Sequence, residues 1–185
     1  MRCRHLAVAL LVLSCAVAQD GPPKQPRPPD APYVATSFGI VDAMLKLAGV
    51  TKSDNVYDLG CGDGRIVIAA ARHYGAHGVG IEINPDLVQE ARGNARKAHV
   101  EALTKFEVND IFEADIHNAT VVTLFMLPNV NVRLRPKLLR DLKPGTRIVA
   151  HKFGIGDWKP DKEETVEGTS IFLWTVPDKT VADKK

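Results

Sequence analysis

The chain has 185 residues, of which 45% are hydrophobic and 25% charged, and its formal net charge is +2. This length suits one domain, since single domains typically span about 100 to 200 residues. Without residues 1–18, which hold two of the 24 basic side chains and no acidic one, 22 basic side chains face 22 acidic ones, so charge gives no reason to expect a nucleic acid as partner.

The first 18 residues have the layout of a secretory signal peptide. Arg2 and Arg4 precede an apolar run from Leu6 to Val17, and Ala16-Val17-Ala18 offers a small-x-small cleavage site. This run is too short to cross a bilayer unaided, which takes about 20 residues. We therefore expect an exported or periplasmic protein that meets a membrane only through its N-terminal segment.

Two other interpretations of the N-terminus stay open. A bacterial lipobox is resembled by Val12-Leu13-Ser14-Cys15, which would make the protein a lipoprotein attached through Cys15. Alternatively, the uncleaved segment would tether the protein to the membrane. A misassigned start codon would instead place these apolar residues ahead of a cytosolic enzyme.

The sequence after residue 18 divides into three parts. Residues 19–32 contain six prolines and predict an extended, solvated linker. The folded domain is predicted over residues 33–178, and residues 179–185 are expected to form a disordered tail. Cleavage after Ala18 leaves Cys61 as the one cysteine, which excludes an internal disulfide and a cysteine metal site. We expect no metal and a monomer.

Apolar periodicity predicts strands and helices in alternation. Thr36 or Ser37 is expected to cap the first helix, and Pro85 follows Asn84 at the start of the third. The third helix is predicted to bury Leu87, Ala91, Ala95 and Ala98. Helices are predicted over 38–48, 65–74, from 85 onward and over 133–142, the last interrupted or started at Pro136. Strands are predicted over 55–59, 79–83, 106–108, 121–126 and 147–151, and a closing hairpin over 164–176.

This alternation predicts an α/β fold of the Rossmann-like type. We expect a three-layer α/β/α sandwich whose mostly parallel sheet ends in an antiparallel hairpin. Right-handed crossovers place the carboxyl ends of the parallel strands along one edge, where ligands bind in open α/β sheets.

The stretch Val56 to Arg65 organises the rest of the chain. It is an apolar strand that runs into a bend with Gly60, Gly62 and Gly64 and then opens a helix. Glycine permits positive φ and close backbone approach to a ligand, and the helix start adds free N–H groups. Arg65 stands where a dinucleotide fingerprint has its third glycine, which argues against a bound pyrophosphate.

Glu82 is the second anchor of the predicted site. It ends a strand about 20 residues beyond the glycines, the position at which an acid binds ribose hydroxyls. The alternative is an exposed acid at a strand end. These two features together predict a nucleoside cofactor at the sheet edge.

The string Asp58-Leu59-Gly60-Cys61-Gly62-Asp63-Gly64-Arg65 resembles motif I of the class I S-adenosylmethionine-dependent methyltransferases. The resemblance implies an Asp after the third strand that accepts from the adenine amino group, and Asp110 matches it, although a turn cap is the alternative. Cys61 is expected there for its small size. The implied cofactor-binding residues are Asp58, Gly60, Cys61, Gly62, Gly64, Glu82, Asn109 and Asp110.

Residues 31–176 further resemble single-domain bacterial relatives of the mitochondrial protein-lysine methyltransferases that modify the ATP synthase c subunit and the adenine nucleotide translocase. Pro32 to Thr36 and Leu127-Pro128 carry this closer likeness. It implies that Tyr33 and Thr36 close over the methionine end of the cofactor. The alternative for these two residues is a hydrophobic staple ahead of the first helix.

The same likeness implies a protein lysine as methyl acceptor. Met126, Leu127 and Pro128 would form an apolar wall that lowers the pKa of the lysine. Asn129 and His151 are the candidate catalytic residues. Asn129 has a helix N-cap as its alternative, and His151 a hydrogen bond to the backbone. Related bacterial chains often carry Asp after this His, where the present chain has Lys152.

Export and this cofactor conflict, because S-adenosylmethionine is made in the cytosol. Three arrangements stay open: an enzyme held at the inner face by an uncleaved N-terminus, an exported enzyme with a cofactor supply, and an exported non-catalytic domain that keeps the fold to bind a ligand or protein. Intact Asp58, Glu82 and Asp110 weigh against the third.

Overall fold

The computed structural model describes Pro28 and residues 32–178. The predicted signal peptide, nearly all of the predicted linker and the predicted tail lie outside the described residues. No helix of the described part is long and apolar enough to cross a membrane.

The described residues form four α-helices, one short 3₁₀ helix and seven strands. The helices are α1 (Phe38–Leu47), α2 (Arg65–Tyr74), α3 (Pro85–Lys97) and α4 (Pro128–Asp141), and the 3₁₀ helix is Glu101–Leu103. The strands are β1 (Asn55–Leu59), β2 (His77–Glu82), β3 (Thr104–Val108), β4 (Val121–Leu124), β5 (Arg147–His151), β6 (Lys162–Val166) and β7 (Thr169–Thr175).

All seven strands belong to one sheet in the order β3-β2-β1-β4-β5-β7-β6. The first five strands are parallel, and β7 pairs antiparallel with both β5 and β6. Leu59 of β1 pairs with Ile81 of β2 on one side and Leu124 of β4 on the other. The carboxyl ends of three adjacent strands therefore meet at one edge, as predicted.

Helices cover both faces of the sheet. Buried side chains of α1 and α2 pack with Val56, Val121 and Val149, while those of α4 pack with Val122 and Ile148 on the opposite face. Neighbouring residues along each central strand thus point into different cores, as expected for a sheet buried on both sides. The three-layer α/β/α sandwich with a mostly parallel sheet and a terminal hairpin is confirmed.

Helix α4 differs most from its predicted bounds. It begins at Pro128, five residues before the predicted start at residue 133, and continues through Pro136. Proline is well suited to the first helical position because its missing N–H needs no partner there. Pro136 does not end the helix, since Leu134 and Leu138 on either side are fully buried against the sheet. Tertiary packing outweighs the lost hydrogen bond.

Candidate functional site

The glycine bend has the backbone conformation that the sequence predicts. Gly60, Gly62 and Gly64 have φ of +84°, +52° and +81°, values that L-residues with a side chain rarely adopt. The N–H groups of Gly60 and Cys61 donate to the carbonyl of Ile81 at 2.8 and 3.0 Å. These bonds draw the bend across the carboxyl end of β2.

Two side chains lie directly on this bend. A Cβ on Gly60 would come within 1.8 Å of Cε of Met126, and a Cβ on Gly62 within 2.3 Å of the Tyr33 ring. Met126 follows β4, and Tyr33 precedes α1. The bend is therefore closely approached by residues far away in sequence, and only glycine leaves room for them.

Glu82 is buried and faces the bend. One oxygen of its carboxylate accepts the Gly62 N–H at 3.1 Å, and the other accepts the Asn84 N–H at 3.0 Å. The side chain is 8% exposed and lines a cavity at this edge. The alternative of an exposed strand-end acid is wrong, because the sheet places Glu82 beside the glycine bend.

Asp58 is a second buried carboxylate in the same cavity. Its side chain accepts a 2.7 Å hydrogen bond from the Thr123 hydroxyl of the adjacent strand. Burial raises its pKa to about 7, with smaller contributions from the charges of Glu82 and Asp63, while the Thr123 hydrogen bond opposes the shift. Sequence reasoning missed Thr123, although a hydroxyl inside the apolar run Val121 to Leu124 was a usable signal.

The cavity at the carboxyl edge of the sheet, called the edge cavity below, brings together seven of the predicted site residues: Tyr33, Thr36, Asp58, Gly60, Cys61, Glu82 and Met126. Leu87 also lines it, so this side chain is not part of the buried inner face of α3 as predicted; Val88 takes that place. A helix turn is 3.6 residues, and the one-residue difference rotates Leu87 toward the sheet edge.

Cys61 and Gly64 support the edge cavity from the adjacent core. The Cys61 thiol packs against Gly80, where a Cβ would lie 2.6 Å from its sulfur, and burial raises its pKa well above the usual range. A Cβ on Gly64 would lie 2.6 Å from the Phe106 ring. These contacts agree with the prediction that Cys61 is present for its size, since a buried neutral thiol is a poor nucleophile.

Asn109 and Asp110 lie at the same edge but are not among the residues that line the edge cavity. The Asn109 N–H donates to the Glu82 carbonyl at 3.0 Å, which continues the pairing of β3 with β2. One carboxylate oxygen of Asp110 accepts the Phe112 N–H at 3.0 Å. Asp110 thus caps a turn, and its proposed contact with adenine stays a prediction.

Leu127, Pro128 and Asn129 are exposed at the start of α4 and do not line the edge cavity. The alternative role of Asn129 as a helix N-cap is wrong. Leu127 occupies the N-cap position without a side-chain hydrogen bond, and Asn129 lies in the first turn.

His151 lies behind the wall of the edge cavity. Its Nδ1 is 3.4 Å from the Thr36 hydroxyl, and its ring centroid is 4.1 Å from that of Phe125. Thr36 and Phe125 both line the cavity. The hydrogen-bond partner found for Nδ1 is thus a side-chain hydroxyl and not a backbone group. Burial and, to a lesser degree, the nearby Lys152 lower the pKa of His151, which favours the neutral imidazole.

Sequence reasoning also missed how Asp63 and Arg65 act in the edge cavity. The Arg65 guanidinium forms two hydrogen bonds in parallel to the Asp63 carboxylate, at 2.9 and 2.7 Å, and one at 2.7 Å to the Thr36 carbonyl. Only the bend conformation reveals these partners.

Among the described residues, no three His, Cys, Asp or Glu side chains are grouped so that they could hold a metal ion.

The fold, the glycine bend and the two cavity carboxylates define a class of protein, the S-adenosylmethionine-dependent methyltransferases. Structural comparison agrees: a crystal structure described as an RNA methyltransferase from Salinibacter ruber in complex with S-adenosyl-L-homocysteine is 55% identical, with a TM-score of 0.78 over 79% of this chain and 95% of that one. A methyltransferase from Thiobacillus denitrificans, also bound to S-adenosyl-L-homocysteine, shares the fold at 20% identity and a TM-score of 0.57, over 71% of this chain and 52% of that one.

The sequence model of the ANTKMT methyltransferase domain matches residues 58–162, and the chain belongs to this family. A protein-lysine N-methyltransferase from Saccharolobus islandicus is 48% identical over 80% of this chain and 95% of its own length. A lysine N-methyltransferase of Xenopus laevis, named for the c subunit of ATP synthase, is 36% identical over 70% of this chain. The chain spans 57% of that longer relative.

Proposed function

We propose that this enzyme transfers a methyl group from S-adenosylmethionine to the side-chain amine of a protein lysine. The observation that carries the acceptor is the relative from Saccharolobus islandicus, which is named a protein-lysine N-methyltransferase and matches over nearly its full length. The alternative of a non-catalytic binding domain is not favoured, because the family is enzymatic and both cavity carboxylates are present.

The residues of the edge cavity fit this cofactor. Glu82 offers a buried carboxylate to a ribose, Asp58 offers another to a charged amino-acid end, and the glycine bend allows close approach. Asn109 and Asp110 extend the site along the sheet edge toward an adenine. When bound, the cofactor supplies an electrophilic methyl group on its sulfonium. The protein has to position the amine and exclude water.

The acceptor would enter beside the start of α4. Met126 is half-buried on the glycine bend, and Leu127 and Pro128 are exposed next to it. Such an apolar mouth disfavours an ammonium ion and so lowers the pKa of an entering lysine. Asn129 stands at this mouth, where its amide would orient the amine. We assign His151 to the support of Thr36 and Phe125, because it lies behind them.

An RNA acceptor is the second candidate, because the Salinibacter ruber structure is described as an RNA methyltransferase. Charge speaks against it here: residues 19–185 carry 22 basic and 22 acidic side chains. Proteins that bind RNA through its phosphates usually present an excess of positive charge.

The test is methyl transfer to separated acceptor pools. The mature domain would be incubated with tritiated cofactor and, separately, with an envelope and soluble protein fraction, with RNA, and with small molecules. We expect label in protein, recovered as methyl-lysine after hydrolysis. Glu82→Gln should lose this activity and the exposed Glu90→Gln should keep it. Label in RNA alone, or in small molecules alone, would refute the lysine proposal.

We further propose that residues 1–18 direct export and are removed, that residues 19–32 form a linker ahead of the domain at residues 33–178, and that the mature protein is a monomer. An intact mass that matches a chain beginning at Gln19 would support cleavage of the signal peptide. A mass that matches a chain beginning at Cys15 and carrying acyl groups would instead identify a lipoprotein. Size-exclusion chromatography with light scattering would test the monomer.

A further inference from the structure

Residues 32–37, called the N-terminal strap below, cross the edge cavity without forming a helix or strand. Five of these six residues, all but Ser37, line the cavity. A segment without its own backbone ladder depends on contacts with other parts of the protein to keep its position. The contacts that hold the strap therefore decide how well it can cover a ligand.

Arg65 provides the central contact. Its Nη1 donates to the Thr36 carbonyl at 2.7 Å, while Nε and Nη2 bind the two carboxylate oxygens of Asp63 at 2.9 and 2.7 Å. The guanidinium also lies over the Phe38 ring, 5.2 Å from its centroid. Its planar fork holds all three partners at once, which a lysine ammonium would not reproduce.

Asp63 connects the same arginine to the other end of the strap. The Tyr33 ring lies on Gly62, next to Asp63, and the Asp63 charge adds to the effect of burial in raising the pKa of Tyr33. The Asp63 carbonyl in turn accepts a 3.1 Å hydrogen bond from Asn94 of α3. The glycine bend and the strap are thereby joined through one ion pair whose side chains are 23% and 14% exposed.

We propose that Arg65 is a positioning residue that, with Asp63, holds the N-terminal strap closed over the bound cofactor. This inference rests on the proposed function. It gives a role to the arginine that occupies the position where a dinucleotide fingerprint has glycine: its side chain lines the edge cavity and reaches the Thr36 carbonyl. The contact of Arg65 with Asp63 and the Thr36 carbonyl is called the clamp below. Its loss should weaken cofactor binding and leave the methyl-transfer step little changed.

The test compares Arg65→Ala and Arg65→Lys with Arg72→Ala, an exposed arginine on the last turn of the same helix. For Arg65→Ala we expect the Kd for S-adenosyl-L-homocysteine, measured by calorimetry, to rise about 10- to 100-fold, as loss of charge-assisted hydrogen bonds implies. The KM for S-adenosylmethionine should rise equally and kcat at saturation should change less than about twofold. Arg65→Lys should fall between, and Arg72→Ala should match the wild type.

Hydrogen exchange gives a readout that general destabilisation would not imitate. In the wild type, S-adenosyl-L-homocysteine should slow exchange of the strap amides, and in Arg65→Ala this protection should be lost while the amides of α4 stay protected. Because both side chains act in one clamp, Arg65→Ala and Asp63→Ala together should cost no more than either alone. Should Arg65→Ala fail to fold, Arg65→Lys and the wild-type exchange data decide the question.

The outcomes separate the two proposals. If the wild type binds S-adenosyl-L-homocysteine and methylates its acceptor but Arg65→Ala has the same Kd and the same strap protection, the clamp is refuted and the function stands. If the wild type does not bind the cofactor at all, the proposed function fails first.

Discussion

Thr123 donates its hydroxyl hydrogen to the carboxylate of Asp58 at 2.7 Å, from the strand that pairs directly with the strand of Asp58. Both residues are almost fully buried at the edge of the sheet where the glycine bend begins. The pair shows how a central strand can hold a charged-type residue: the hydroxyl partly replaces the water that burial removes. Burial raises the pKa of Asp58 more than the Thr123 hydrogen bond lowers it, so the pKa lies at about 7.

Asp58 should make the free energy of unfolding depend on pH. Its folded pKa of about 7 lies above the usual 3.8, so its stabilisation is complete below about pH 3.8 and is lost as pH rises to about 7. Asp58→Asn does not titrate. Relative to the wild type it should gain up to about 4 kcal/mol between pH 4 and pH 8. Urea denaturation without cofactor at both pH values checks this, and a pH-independent difference would contradict the shift.

Thr123→Val should push the pKa of Asp58 further upward. The substitution keeps the side-chain volume and removes the hydrogen bond that favours the ionised carboxylate. The loss of stability with rising pH should then extend to higher pH than in the wild type. The same denaturation series measures it, and Thr175→Val at the exposed end of β7 is the matched control.

Glu82→Gln should weaken binding of S-adenosyl-L-homocysteine about tenfold or more, because the charge and one of two hydrogen-bond acceptors are lost. The wild-type carboxylate accepts from Gly62 and Asn84 with different oxygens, and an amide offers only one oxygen. Calorimetry measures the change. Glu90→Gln on the exposed side of α3 is the control. Equal affinities of the two variants would refute a role for Glu82 in cofactor binding.

Gly64→Ala should destabilise the fold more than Gly168→Ala. Both glycines have positive φ, +81° and +76°, so each alanine should cost about 1 kcal/mol in backbone strain. The new Cβ at Gly64 would also lie 2.6 Å from Phe106 and 2.8 Å from Ala91. A Cβ at Gly168 would have no neighbouring atom within 4 Å. Overpacking adds roughly 1 to 3 kcal/mol. Thermal and urea unfolding of both variants would show equal losses if the contact were unimportant.

Lys152→Asp should raise the pKa of His151. Burial first, and the positive charge of Lys152 second, hold this pKa below 6.5. An acidic neighbour reverses the second contribution. The wild type should also lose stability as pH falls below about 6.5, because the unfolded chain then binds the proton more readily. NMR titration of the imidazole protons in the two proteins gives the pKa values directly; an unchanged value would contradict the assignment.

Local sequence was sufficient for much of the site. Gly60, Gly62 and Gly64 predicted the bend because only glycine readily accepts those φ values. Glu82 was found from its distance along the chain, since a β-α-β unit has a nearly constant length. Leu87 shows the limit of helical periodicity, because a one-residue difference in phase moved it from the core to the edge cavity.

Residues whose role depends on a distant partner were not predictable in this way. Thr123 lies 65 residues from Asp58, and the carbonyl of Thr36 lies 29 residues from Arg65. A hydroxyl in an apolar strand marks Thr123 as unusual, but no local pattern identifies the distant partner in either pair. The same holds for His151, whose ring is set between Thr36 and Phe125 by the pairing of β5 with β4.

By itself the sequence determined the order of strands and helices, the glycine bend and the class of cofactor, because these follow from short-range patterns of side chains and backbone freedom. Only the tertiary structure decided which carboxylate is buried with a hydroxyl, which arginine holds the strap, and which candidate side chains stand in the edge cavity or behind it. Such facts depend on strand register and on helix rotation, and both are settled when separate segments bury their apolar faces against each other.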